Sequence, residues 1–94
     1  MNNKVPISGG FYAVAEVDLN EQVNALIDFY KTQEEAEQDI FNFFDDYFAG
    51  EMDRDYDRDR IEEEHKYGGT YFSCEGCNFK YLLVSINTHR ETEN

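Results

Sequence analysis

Carboxylates form the largest group of side chains in this chain that could carry chemistry. Residues 34–64 contain 14 Asp and Glu against three Arg, so this third of the chain holds 11 of the 13 net negative charges. Like charge crowded into one region weakens the compact state of a protein. We expect a basic partner that neutralises this acidic block, and a solvated surface without a partner is the alternative.

The acidic block predicts an electrostatic docking surface for a protein rich in Lys and Arg. Its charge excludes direct binding of the block to nucleic acid or to an anionic membrane. Carboxylates on successive helical turns lie about 5–6 Å apart, of the order of the phosphate spacing along a DNA strand, so such a face can occupy a groove that binds nucleic acid. We expect Tyr56 to be an aromatic anchor. The expected charge carriers are Asp45, Asp46, Asp53, Asp55, Asp57, Asp59, Glu62, Glu63 and Glu64.

Two spacings in the sequence are typical of metal sites. Counted from Asp53, acids occupy positions 1, 3, 5 and 7 and Glu64 occupies position 12, which is the ligand spacing of an EF-hand loop. Position 6 is Arg58 where that loop needs Gly. Cys74 and Cys77 could supply half of a zinc site. We therefore expect no metal and no other cofactor, and a metal-binding module is an alternative function.

Patterns that would indicate catalysis are missing from the sequence. His65 and His89 are the only histidines, and no Ser-His-Asp, phosphate-loop or nucleophile-elbow pattern is present. Nothing marks one carboxylate as desolvated, as a general acid requires. We expect that the protein is not an enzyme.

Size and composition indicate one folded domain. The chain has 94 residues, of which 16% are aromatic, including eight Phe and seven Tyr, and a disordered acidic segment would lack these. No apolar run approaches the length of a membrane span and the polar first residues are no signal peptide, so we expect a cytoplasmic protein with reduced cysteines. Residues 1–10 and 87–94 are expected to be flexible tails.

The elements that must position these groups can be located from periodicity. Residues 11–18 and 23–30 alternate apolar and polar positions and predict a hairpin, and residues 33–49 predict a helix that begins with a capping box from Thr32 to Glu35. Residues 70–74 and 77–86 predict a second hairpin that turns at Gly76. A short helix near 53–66 and a charged loop are alternatives for residues 51–66.

This order predicts an α+β fold, a four-stranded antiparallel sheet (β-β-α-(α)-β-β) with one main amphipathic helix on one face. The strict alternation in 23–30 places Val23, Ala25, Ile27 and Phe29 on one face. A face left without a helix could support a homodimer, which makes a structural or regulatory subunit another alternative function. If the helix packs on the other face, the residues left uncovered are Tyr12, Val14, Leu26 and Tyr30, and the sequence does not decide which face the helix covers.

In size, acidity, aromatic content and absence of catalytic motifs, the chain resembles the small acidic inhibitors encoded by phages and mobile elements. These include anti-CRISPR proteins, anti-restriction DNA mimics and inhibitors of host DNA-processing enzymes. The resemblance covers the whole chain as composition and rests further on the acidic block at 34–64. It implies stoichiometric binding to a cationic nucleic-acid channel of a host defence or DNA/RNA-processing complex in the host cytoplasm.

Overall fold

The chain folds as an α+β protein with one antiparallel sheet and one α-helix. The computed structural model describes residues 11–51 and 56–86, so both expected tails and residues 52–55 lie outside the described part. The described elements are β1 (Phe11–Asp18), β2 (Val23–Tyr30), α1 (Gln33–Glu51), a short 3-10 helix (Arg58–Arg60), β3 (Glu62–Lys66), β4 (Gly69–Ser73) and β5 (Phe79–Ile86). The strand order is β2-β1-β5-β4-β3. In residues 11–51 and 56–86 no helix has the length and apolar character of a membrane span.

The sheet has five strands, and the prediction of four was wrong. The additional strand is β3, which occupies residues that were expected to be a helix or a charged loop. It pairs antiparallel with β4 from Glu62 opposite Ser73 to Lys66 opposite Gly69. The two strands are joined by a tight turn in which Tyr67 and Gly68 have φ values of 54° and 78°. Positive φ at both central positions is what a two-residue hairpin turn requires.

The other predicted elements are confirmed with small shifts at their ends. The first two strands have the predicted bounds, and α1 extends two residues beyond the predicted end at residue 49. The Glu35 N–H donates to the Thr32 hydroxyl at 3.1 Å, which confirms that half of the predicted capping box. Gly76 has the positive φ, 98°, expected of the second hairpin turn.

The hydrophobic core lies between α1 and one face of the sheet. One stripe of the helix, with members three or four residues apart, is buried against the central strands. These helical residues are Ala36, Ile40, Phe44 and Phe48, and they pack with Val14, Phe72, Tyr81 and Leu83 from the sheet. Full burial of an apolar side chain contributes about 1.5–3 kcal/mol, so this layer supplies most of the stabilisation available to a domain of this size.

Two β-bulges in β2 decide which of its side chains face the helix. Val14 pairs with Asp28 but the next residue of β1 pairs with Leu26, so Ile27 is an extra residue, and Asn24 is a second one further along. Each bulge reverses the alternation of side chains. Leu26 therefore shares a face with Phe29, opposite the helix. We refer to this side of the sheet as the open face.

The bulges and the helix position correct two expectations about the sheet faces. The helix packs on the face that carries Tyr12, Val14 and Tyr30, so these three residues, which would be uncovered with the helix on the other face, pack in or against the core. Only Leu26 of that set lies on the open face. The strict alternation expected for residues 23–30 is also wrong, because Ala25 pairs with Glu16 on the helix side.

Candidate partner-binding surface

The acidic residues after α1 gather along one edge of the sheet. We call Asp57, Asp59, Glu62, Glu63 and Glu64 the acidic edge, and all five are exposed. Strand β3 is the outermost strand, and its outer side pairs with no strand in the described part of the chain. Glu62, Glu63 and Glu64 lie on this edge strand itself, whereas Asp57 and Asp59 belong to the cap and first turn of the 3-10 helix that precedes it.

Strand β3 forms although three consecutive glutamates are poor strand residues. Its neighbour β4 has the sequence GTYFS and carries no charge, so no like charge lies directly opposite a glutamate. Glu63 faces Phe72 and Glu64 faces Tyr71 across the pair. His65 Nδ1 lies 2.9 Å from the Thr70 hydroxyl oxygen, which adds a side-chain link between the strands.

A cluster of polar contacts fixes the segment before β3 to the helix. The Arg58 guanidinium donates to Asp45 Oδ2 through Nε at 2.9 Å and through Nη2 at 2.6 Å, and to Asn42 Oδ1 at 2.9 Å. The Tyr56 hydroxyl donates to Asp45 Oδ1 at 2.5 Å, and the Tyr56 ring stacks on Phe48 with centroids 4.4 Å apart. We call Asp45, Tyr56 and Arg58 the clamp.

The charges of the clamp are compensated within the chain. The Arg58 guanidinium, with a smaller contribution from the Tyr56 hydroxyl, holds the pKa of Asp45 below its usual value against the opposing effect of burial. Burial, and then the Asp45 carboxylate, raise the pKa of the Tyr56 hydroxyl. Two residues expected to contact a partner, Asp45 and Tyr56, thus hold the acidic edge in place against the helix.

The remaining expected contact residues lie in three places. Asp46 is exposed on the outer side of α1. Asp53 and Asp55 lie outside the described residues. The acidic edge contains the other five, and Asp57, Asp59 and Glu62 form no ion pair with any residue of 11–51 or 56–86.

Of the five bases in these ranges, four approach a carboxylate within 4.0 Å, and these are Arg58, Arg60, Lys66 and Lys80.

A second group of carboxylates surrounds the start of the helix. Four acids of its first two turns line a shallow cleft of about 650 Å³ together with Tyr30, Gln38 and Phe41. The acids are Glu34, Glu35, Glu37 and Asp39. Glu37 accepts a hydrogen bond from the Gln33 amide at 2.9 Å. This group lies in the sequence block that predicted a docking surface but is separated from the acidic edge by the clamp.

Tyr67 is a surface residue that the sequence-based site prediction did not include. It stands at the tip of the β3–β4 hairpin with 85% of its surface exposed. Its left-handed backbone, with φ of 54°, suits Asn or Gly and costs a bulky residue on the order of 1–2 kcal/mol. Strain retained at an exposed aromatic residue is typical of functional positions. The signal in the sequence was the Gly68-Gly69 pair that follows Tyr67, which indicates a turn.

Neither predicted metal spacing forms a site in the described residues. Glu64 lies in a strand, whereas an EF-hand loop is followed by a helix. Cys74 is buried, Cys77 is half-buried, and both pack with the core aromatic residues. The Cys77 N–H donates to the Cys74 carbonyl at 3.1 Å, so the pair sits on a turn. Among residues 11–51 and 56–86 no three His, Cys, Asp or Glu side chains are close enough to hold a metal ion.

Comparison of the chain with protein families, with curated proteins and with solved structures finds no match. The arrangement of the described residues therefore carries the functional conclusion.

Proposed function

We propose that this protein is a protein-binding inhibitor that docks its acidic edge on a basic, nucleic-acid-binding surface of a partner. The observation that supports this most is that β3 is an edge strand with three consecutive exposed glutamates, opposite an uncharged strand, of which Glu64 has a cation nearby in Lys66 at 3.3 Å. By resemblance in composition, the partner belongs to a defence or DNA/RNA-processing complex in a host cytoplasm. The anti-CRISPR and anti-restriction inhibitors act in this way.

The spacing of the glutamates supports a nucleic-acid-like surface. An extended strand advances about 3.4 Å per residue, and the phosphates of one DNA strand advance by about 3.4 Å each along the helix axis. Glu62, Glu63 and Glu64 therefore present charge at a density per length similar to that of a nucleic-acid strand. Successive side chains alternate between two sides of β3, so the charge flanks the strand on both sides.

The geometry assigns different tasks to the residues of the acidic block. The acidic edge attracts Lys and Arg of the partner, and the exposed carboxylate of Asp46 adds to the same field. Tyr67 offers an exposed ring that a partner cation or a pocket can cover. The clamp keeps the 3-10 helix and β3 in one arrangement before binding, which reduces the entropy lost on docking.

Neutralising the acidic edge tests this proposal. Immobilised protein is used to capture basic nucleic-acid-binding proteins from a bacterial lysate, and a captured protein is then purified. Glu62→Gln, Glu63→Gln and Glu64→Gln together should weaken its binding at least about tenfold. A matched variant with Glu16→Gln, Asp28→Asn and Glu34→Gln removes the same charge elsewhere and should bind nearly as the parent does. Duplex DNA should compete with the parent protein for the partner.

Two further measurements separate a charge-based complex from an unrelated one. Affinity should fall at least about tenfold as salt rises from 50 to 200 mM, because screening weakens the attraction. Tyr67→Asn suits the turn and keeps the fold, and its loss of the ring should weaken binding by roughly tenfold. Binding that ignores salt, duplex DNA and the three glutamates would contradict the proposal.

A further inference from the structure

The open face of the sheet exposes a group of large apolar side chains. In β2, Val23 is 63% exposed, Leu26 57% and Phe29 52%. Phe29 contacts Phe11 of β1 edge to face, with ring centroids 5.3 Å apart, so the apolar surface continues from β2 onto the next strand. No described helix packs on this face, although Ala13, Val17 and Tyr71, which the strand register places on it, are buried, so its exposed apolar side chains lie along β2.

The exposed apolar area is similar to that of the largest patch on a typical monomer, and such a patch is often functional. Together with Leu19 and Ile27, which are also exposed, the three β2 side chains leave on the order of 400–500 Å² exposed, against about 300–600 Å² for the largest patch on a monomer. A standard interface buries roughly 800 Å² on each partner, of which somewhat more than half is apolar. The patch thus has about the apolar area that one such interface needs.

The distribution of charge indicates which partner fits the open face. A protein of net charge −13 repels its own copies wherever its carboxylates are uncompensated. On the open face Glu21 is paired with Lys66 at 2.6 Å and with Lys80 at 2.8 Å, and Glu64 lies 3.3 Å from the same Lys66 ammonium, so of these acids Glu62 alone has no cation beside it in the described part of the chain. A basic partner is drawn to the acidic edge instead, and an anionic membrane gains nothing here. A second copy of the chain is the partner that suits an apolar, nearly neutral face.

The exposed edge of β2 is a poorer place for the same association. The two bulges at Asn24 and Ile27 interrupt the regular spacing of its backbone groups. The Phe29 N–H is also occupied, because it donates to the Asp28 side chain at 2.8 Å. We therefore propose that two copies associate face to face through the open face, as a closed two-fold dimer with both α1 helices on the outside.

Measuring the mass in solution tests the dimer. Sedimentation equilibrium at micromolar concentrations should give twice the chain mass of 11.1 kDa. Leu26→Glu places a carboxylate in the contact and should weaken self-association at least about 100-fold. Ala15→Glu, on the interior strand β1, should do the same. Gln38→Glu adds the same charge on the outer side of α1 and should leave the dimer intact.

The outcomes distinguish the face from the edge and from the proposed inhibitor function. Leu26→Glu keeps the fold because the side chain is already more than half exposed, and thermal melting checks both variants. If Leu26→Glu loses the dimer while folded Ala15→Glu keeps it, the copies associate through the edge of β2, and the proposal is overturned. A parent chain that stays monomeric at millimolar concentration would also overturn it. Salt should tighten self-association by screening repulsion, whereas it should weaken binding of a basic partner.

Discussion

The carboxylate of Glu21 lies 2.6 Å from the ammonium of Lys66, although these residues come from opposite edges of the sheet. Glu21 belongs to the loop that leads into edge strand β2, and Lys66 ends edge strand β3. The same carboxylate accepts a hydrogen bond from Lys80 at 2.8 Å, and both ammonium groups lie over the Tyr71 ring. Asp18 fixes the loop by accepting the N–H of Asn20 and of Gln22. The contact thus ties the whole width of the sheet together.

Glu21→Gln should lower the thermal unfolding temperature at pH 7 because it removes the charge that pairs with both lysines. The hydrogen bond from Lys66, followed by the one from Lys80, lowers the pKa of Glu21 below its ordinary value of 4.5. A lowered carboxyl pKa stabilises the fold above the unfolded value, and this stabilisation is lost as pH falls through the folded value. The melting temperatures of the parent and the variant should therefore begin to approach each other as the pH falls below 4.5 and should meet only below the lowered folded pKa of Glu21. Circular dichroism melts from pH 3 to 7 measure the difference.

Asp46→Asn provides the control for this comparison. Asp46 is exposed and forms no ion pair with another described residue, so its removal should not lower the melting temperature at any pH in the series. An equal gap between the parent and Glu21→Gln at pH 3 and at pH 7 would contradict the assigned role of the charge.

Gly68 and Gly69 should respond differently to the same substitutions. Gly68→Ala meets no atom within 4 Å but has a φ of +78°, so it should cost about 1–2 kcal/mol of the free energy of unfolding. Gly68→Asn should recover much of this loss, because Asn tolerates left-handed backbone. A Cβ on Gly69 would lie 2.8 Å from Leu82 Cδ1 and 3.1 Å from the Leu83 carbonyl oxygen, so Gly69→Ala should cost about 1–3 kcal/mol.

At position 69, Asn should lower the free energy of unfolding more than Ala does. This is the reverse of the order expected at position 68. Urea unfolding of the four variants measures both orders. The same ranking at the two positions would show that a single property, either space or backbone conformation, governs the whole turn.

Three tyrosines should ionise late in an alkaline titration. Burial, assisted by Glu16, raises the pKa of Tyr81 to about 12, and burial with Asp39 or Asp45 raises the pKa of Tyr30 and Tyr56 further. A raised tyrosine pKa stabilises the fold below the unfolded value of 10, and this stabilisation is lost as pH rises through the folded value. Absorbance at 295 nm should show a late phase that coincides with alkaline unfolding.

Tyr56→Phe should remove part of that late phase. It also removes the hydroxyl that donates to Asp45, so the pKa of Asp45 should rise toward its usual value while Arg58 still holds it down. A titration in which every tyrosine of Tyr56→Phe and of the parent ionises before unfolding would contradict the burial of these hydroxyls.

Much of the fold could be predicted because local patterns and tertiary packing agree. The sequences of β1 and β2 alternate apolar and polar residues, and the sequence of α1 combines a capping box with an apolar stripe. Strand β3 was missed because Glu62–Lys66 has no apolar alternation and low strand propensity, so only its pairing with uncharged β4 makes it a strand. The bulges in β2 also have no local signal. They arise where the strand pairs with β1, and they change which residues face the helix.

The candidate site was predictable as a region but not residue by residue. Composition located the acidic block, yet the contact between Asp45 and Arg58 spans 13 residues and depends on how the 3-10 helix returns to α1. For this reason two expected contact residues, Asp45 and Tyr56, are engaged internally. Tyr67 was not chosen as the anchor because the sequence does not separate the exposed aromatic residues near the acids from those in the core, and only the turn geometry places it at the tip.

The two extra residues in β2 have a consequence for how the protein behaves when concentrated. Fibrils grow when flat, regular strands stack without limit, each chain serving as the template for the next. Asn24 and Ile27 bend the strand with the most exposed large apolar side chains out of that shape. We expect concentrated solutions to stay clear and free of thioflavin-positive fibres, even though the strand VNALIDFY would otherwise be a strong nucleus for them.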